Sequence, residues 1–125
     1  MIIRNRTRKT LISRETEVAR SIWKKTIGLM FRKGIEDGRC LLMEFGDEGQ
    51  NRHSIWMAFM RFPIDLIFLD SHKVVTDTHE GISPLGFRPG TWRLYKPSRP
   101  VKWVIEAAEG WVKKTGTRKG DKIDF

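Results

Sequence analysis

The segment Ile64-Asp65-Leu66-Ile67-Phe68-Leu69 is apolar on both sides of an extended chain. Ile64, Leu66 and Phe68 point one way, while Asp65, Ile67 and Leu69 point the other. A strand with two apolar faces is expected to be buried. One carboxylate, Asp65, is thereby placed where water is scarce, and it needs hydrogen-bonding partners or a chemical role. Asp65 is the first candidate site residue.

Further strands are predicted around it. Residues 1–6 alternate loosely and predict one strand, and Lys9 to Ile12 predicts a second. Ser13 has the chemistry of a helix N-cap, and Glu15 and Glu17 suit the positive end of a helix dipole. Val18, Ile22 and Trp23 follow at helical spacing, so a helix is expected from Ser13 to about Lys25, with Gly28 just beyond it. Gly28 to Gly34 is an apolar segment between glycines with a basic end. Arg39 to Phe45 predicts a strand with Leu41, Met43 and Phe45 on one face, and residues 46–51 are loop-like. Ile55 to Met60 is a further extended segment, separated from Ile64–Leu69 by Arg61-Phe62-Pro63. Asp70-Ser71-His72-Lys73 predicts a tight turn into Val74–Thr78 and so a hairpin. Residues 81–90 are rich in glycine and proline and predict a long loop. Thr91 to Tyr95 and Val101 to Ala107 predict strands, Glu109 to Lys114 a short helix or turn, and Gly120-Asp121 a turn into a last strand. Many short strands with one helix in the N-terminal half define an α+β, mainly antiparallel domain, its sheet expected to be small, closed or partly open and barrel-like. At 125 residues the chain, 1–125, reads as one domain with enough mass for one core.

Charge divides the chain. The net +9 is distributed as +8 over residues 1–33, −4 over 34–72 and +5 over 73–125. Such asymmetry suggests a basic surface suited to a polyanion. Asn and Gln occur only as Asn5, Gln50 and Asn51 against 31% charged residues, a balance that leans toward a thermophilic source, where the charge can serve stability alone. The single cysteine, Cys40, excludes an internal disulfide and reads as a buried thiol. No apolar run is long enough for a membrane span, and the N-terminal residues lack a signal-peptide core, so a cytoplasmic protein with no membrane partner is expected.

Four segments in order carry a resemblance. They are Gly28-Leu29-Met30-Phe31-Arg32; Trp56-Met57 followed by Pro63-Ile64-Asp65-Leu66-Ile67-Phe68-Leu69-Asp70; Val104-Ile105-Glu106 with Gly110; and Gly120-Asp121. Together they resemble domain-of-unknown-function family 192, also called uncharacterised protein family 0127, over nearly the whole chain. The resemblance implies a β-rich single domain found in bacteria and archaea, and brings no established reaction, cofactor or catalytic residue. The resemblance implies a secretion signal in many bacterial relatives; none is expected for this chain. Where the family has an aromatic-Trp-Met-Lys-Asn-Thr run, this chain has Ile55-Trp56-Met57-Ala58-Phe59-Met60, with three polar positions replaced by apolar ones.

Three functional readings follow. The first is a binding domain without catalysis, whose apolar and acidic cleft is lined by Arg32, Trp56, Met57, Asp65 and Glu106, with residues 81–92 as a rim. Its partner would be a small molecule or peptide, because ligand sites are mostly apolar with a few placed polar groups. The second is nucleic-acid binding through Arg88, Arg93, Lys96, Arg99 and Lys102, which interleave with Trp92, Tyr95 and Trp103. The third is a hydrolase dividing acid and base roles between Asp65 and Glu106, the two candidate catalytic residues. Against these stands a structural reading, in which each carboxylate accepts hydrogen bonds from an arginine or from loop amides and pins the fold. His53, His72 and His79, with Asp70 and Asp77, lack metal-ligand spacing, so no metal and no cofactor are expected. No phosphate loop, dinucleotide fingerprint or serine-nucleophile motif occurs. Oligomeric state is not legible in the residues.

Overall fold

Three sheets organise the described residues. The computed structural model describes residues 1–19, 36–44, 55–56, 63–82, 94–95 and 101–125, with backbone only at 19, 55–56, 82 and 94–95. In chain order the elements are β1 (Ile3–Asn5), β2 (Thr10–Ser13), β3 (Glu15–Ala19), β4 (Arg39–Glu44), β5 (Ile55–Trp56), β6 (Ile64–Leu69), β7 (Val75–Ile82), β8 (Leu94–Tyr95), β9 (Trp103–Ala108), α1 (Trp111–Thr115) and β10 (Ile123–Asp124). The central sheet has the order β3-β4-β9-β6-β7; a smaller one runs β10-β1-β2, and β5 pairs with β8. All pairings are antiparallel except β3 with β4.

The strand predicted to be buried is so. All six residues of β6 are buried, and it lies between β9 and β7. Its β9-side register is regular, Asp65 opposite Ala107, Leu66 opposite Glu106, Ile67 opposite Ile105 and Phe68 opposite Val104. Paired residues in an antiparallel ladder share a face, so this register sorts the sheet. One face carries Cys40, Leu42, Ile67, Leu69, Ile105 and Ala107, which pack with Ile3 and Ile12 of the small sheet, Val112 of α1 and Ile123 of β10. The other carries Leu41, Met43, Leu66, Phe68 and Val104, all 3% exposed or less. The named side chains on both faces are thus buried, as the two-sided apolar pattern requires.

Two expectations are corrected. Glu15–Ala19 is a strand, where a helix is predicted. It pairs in parallel with Arg39–Met43, and Val18 packs against the core. The Ser13 hydroxyl donates to the Glu15 carbonyl at 2.7 Å and accepts from Thr16 Oγ1 at 2.8 Å, so it caps no helix. Pairing with a distant strand overrides the local helical pattern, and Thr16 and Val18 are β-branched residues that suit it. Residues 20–25 of the expected helix lie outside the described residues. The barrel-like sheet is also corrected: among the described residues the central sheet is open, with β3 at one edge and β7 at the other.

The predicted hairpin turn is present, and its chemistry is local. Asp70 Oδ1 accepts from the amides of His72 at 2.8 Å and Val74 at 3.0 Å. Asp70 is therefore committed to the turn. Cys40 is buried, and burial pushes its thiol up to about 11 against the smaller opposing effect of Ser13, so it stays protonated and inert at neutral pH.

Candidate functional site

The two carboxylates set in apolar strands do not share a site. Asp65 pairs with Ala107 and points into the face packed by the small sheet and α1; Glu106 pairs with Leu66 and points to the opposite face. The sheet itself separates them. The expected acid–base pair needs both groups in one open cleft, and the expected single cleft lined by both fails for the same reason. Alternation within each strand is legible in sequence, but the register between strands decides which residues share a face.

Asp65 is fully buried and both of its oxygens are engaged by backbone. Oδ1 accepts from Gly81 N at 2.8 Å and Oδ2 from Val112 N at 2.9 Å. The residue before α1 is Gly110, in the left-handed region at φ 85° and without a side chain to cap the helix. Asp65 supplies that cap from another strand, satisfying the amide of the second helical residue. Its other oxygen holds Gly81, near the irregularity in the β6–β7 ladder between Ile64 and Leu66. A side chain at Gly81, which has φ +59°, would approach Glu109 Oε2 to 3.3 Å. Asp65 is a clamp joining β6, β7 and α1.

Glu106 occupies a different setting. It is 6% exposed, in register with Leu41 on β4 and Leu66 on β6. Continuing the same row, Leu66 pairs with His79 on β7, which places Glu106 and His79 about 10 Å apart across two strand spacings. His79 stacks edge-on against Phe68, ring centroids 5.3 Å apart, and burial lowers its pKa against the opposing pull of Asp77. Asp77 pairs with Phe68 and so lies on this face too. The Glu106 face is an apolar wall of Leu41, Leu66, Phe68 and Val104 that also carries Asp77, Glu106 and the His79 imidazole.

The remaining predicted residues separate as follows. Trp56 lies in β5, paired with Leu94; its side chain, Arg32 and Met57 lie outside the described residues, as do Arg88, Arg93, Lys96 and Arg99. Lys102 is described and engaged, with Glu44 at 4.0 Å and over the Trp103 ring at 5.9 Å. Among the described residues no group of three or more His, Cys, Asp or Glu could hold a metal ion, and no helix is long and apolar enough to cross a membrane.

A second buried polar cluster escapes the sequence reading. Asp121 is 2% exposed, and its Oδ2 accepts from Asn5 Nδ2 at 2.9 Å, Arg118 N at 2.9 Å and Arg8 Nε at 3.1 Å. Asn5 Nδ2 also donates to Thr117 Oγ1 at 3.2 Å. Burial pushes the Asp121 carboxyl up, but hydrogen bonds from Asn5, Arg118 and Arg8 outweigh it and hold it below the usual carboxylate value. The signal was available in two alternations, Ile3-x-Asn5 and Asp121-x-Ile123, which put both polar residues in phase with core positions.

The fold and this pair of faces define a small, β-rich domain of a family without an assigned activity. Residues 2–125 match the model of domain-of-unknown-function family 192, described as "Uncharacterized ACR", and the chain belongs to that family. A protein of uncharacterised family 0127 from Pyrococcus abyssi is 32% identical over 99% of this chain and 97% of its own length. Another, from Pyrococcus furiosus, is 32% identical over 89% of this chain and 86% of its own. Two crystal structures share the fold. A candidate transcription regulator from Sinorhizobium meliloti superposes with TM-score 0.77 at 26% identity, covering 87% of this chain and 79% of that one. A protein of unknown function from Novosphingobium aromaticivorans gives 0.80 at 21%, covering 99% and 82%.

Proposed function

We propose that this chain is a non-catalytic binding domain whose ligand meets the Glu106 face of the central sheet. The observation that carries the reading is the placement of Glu106: a carboxylate 6% exposed within a wall of Leu41, Leu66 and Val104. Ligand sites have this composition, an apolar surface with few convergent polar groups. Asp65, the first candidate by sequence, lies on the opposite face, where both of its oxygens accept backbone amides. The chemistry fits a small molecule or peptide segment with an apolar body and a hydrogen-bond donor or cationic group for the carboxylate. Trp56, Met57 and Arg32 are proposed as its further contacts.

Amide chemical-shift titrations with amino sugars, polyamines and short basic peptides test it. Perturbation should centre on Leu41, Leu66, His79 and Glu106 and vanish in Glu106→Gln. Shifts confined to other residues, or unaltered binding by Glu106→Gln, would overturn the reading.

A further inference from the structure

Most lysines and arginines of the described structure are engaged. Arg8 meets Asp121, Arg39 meets Glu15, Lys102 meets Glu44 and Lys114 meets Asp37. Arg14 donates to the Asp37 carbonyl, Lys73 to that of Phe125 and Lys122 to that of His72. The exceptions among the described residues are Arg4, Arg6 and Lys9 in one place, and Lys113, Arg118 and Lys119 in another, all exposed.

Each trio lines a groove. Arg4, Arg6 and Lys9 border one of about 280 Å³ together with Asn5 and Thr10, with Asp124 as its acidic residue. Lys113, Arg118 and Lys119 border one of about 680 Å³ together with Thr78 and Thr117, with Glu80 as its acidic residue. The turns that border the grooves are joined: the one between β1 and β2 is stitched to the one between α1 and β10. Asp121 ties Asn5, Arg8 and the Arg118 amide together. Arg6 N donates to the Lys122 carbonyl at 2.8 Å, and Lys122 N to Thr7 Oγ1 at 2.8 Å.

We infer that these two turns form one phosphate-binding track for a nucleic-acid backbone, formed by Arg4, Arg6, Lys9, Lys113, Arg118 and Lys119. Cations without internal partners keep their full charge for a ligand, and two grooves joined by a rigid buried lock hold them in fixed relation. Among the described residues the grooves are lined by hydroxyl donors and by no aromatic side chain, so the contacts suit phosphates rather than stacked bases. A single small anion would fill one groove; a polymer with regularly repeated phosphates spans both. The track lies apart from the Glu106 face and its residues are disjoint from that site.

Fluorescence anisotropy with labelled duplex DNA, duplex RNA and single strands tests the track on the full chain. If all six cations meet phosphates of a duplex, the logarithm of affinity falls with the logarithm of salt at a slope of about 5, a loss of roughly a thousand-fold between about 50 and 200 mM. Replacing either trio with glutamine should cut the slope to about 3. Lys102→Gln should leave it unchanged, and Glu106→Gln should bind normally, which separates this inference from the ligand reading. All six side chains are exposed, so circular dichroism should show folded variants. Absence of binding at low salt would overturn the track. So would a slope that neither trio alters, or equal affinity for polyglutamate or for phosphatidylglycerol vesicles, which would assign the charge to an acidic protein or a lipid surface.

Discussion

The central sheet buries one carboxylate on each face, and the two are held in different ways. Asp65 sits among the side chains that join the large sheet to the small one, with two backbone amides on its oxygens. Glu106 sits on the other face among Leu41, Leu66 and Val104, one strand away from His79 across Leu66. A carboxylate whose acceptors are filled by main chain fixes the positions of elements. Residue type, burial and strand context are nearly the same for both; register sends them to opposite faces.

The sharpest way to break this comparison is a matched pair of isosteric substitutions. Asp65→Asn puts an amide NH₂ against one of two buried N–H groups, leaving donors facing donors. It should cost about 3 kcal/mol in urea unfolding. Glu106→Gln keeps the shape of the side chain on its apolar strand face and should cost less than about 1 kcal/mol. Equal losses would make Glu106 a second clamp and remove the basis for a ligand on its face.

Asp121 gives the next largest effect. Asp121→Asn should cost about 2 kcal/mol, since the Asn5 amide and the Arg118 N–H lose a charged acceptor; the Arg8 arm, 39% exposed, adds less. The folded carboxyl titrates below its ordinary value, so the unfolded chain binds that proton more readily. The stabilisation is therefore complete above the ordinary carboxylate range and lost as pH falls through the folded value. Thermal melts of the wild-type protein between about pH 5 and 2 should fall more steeply than those of Asp121→Asn. Parallel curves would show that the lock contributes nothing through its charge.

Which parts of this were legible in sequence follows from how local each signal is. The two-sided apolar pattern of residues 64–69, the Asp70 turn and the Gly120-Asp121 turn depend on near neighbours along the chain, and each reads correctly. Glu15–Ala19 misleads because the ladder that makes it a strand is provided by Arg39–Met43, and nothing within Ser13–Val18 reports that partner. Burial of Asp65 is legible from β6 alone. Its role as the cap of α1 is not, because Val112 lies 47 residues away. The opposed directions of Asp65 and Glu106 require the one-residue precision of the β6–β9 register, which two separately alternating strands leave undetermined.

The smallest predicted effect separates the two faces by pH. Burial lowers the His79 pKa from 6.5 while the Asp77 charge opposes the shift. The unfolded chain therefore takes up this proton first, so stability is present above the ordinary histidine value and erodes as pH falls below it. Asp77 lies on the same face and moderates the loss by favouring the imidazolium. No described histidine lies on the Asp65 face, and the Asp121 lock yields only in the carboxylate range. Mild acid should consequently loosen the Glu106 face first. Amide hydrogen exchange at about pH 5.5 should quicken for residues paired across β6 and β7, while Asn5 and Ile123 keep their protection until the pH approaches the carboxylate range. His79→Gln should abolish the first step and leave the second. Loss of protection on both faces together would mean that the sheet opens as one unit, and that a ligand reaching Glu106 has to wait for the whole core rather than one side of it.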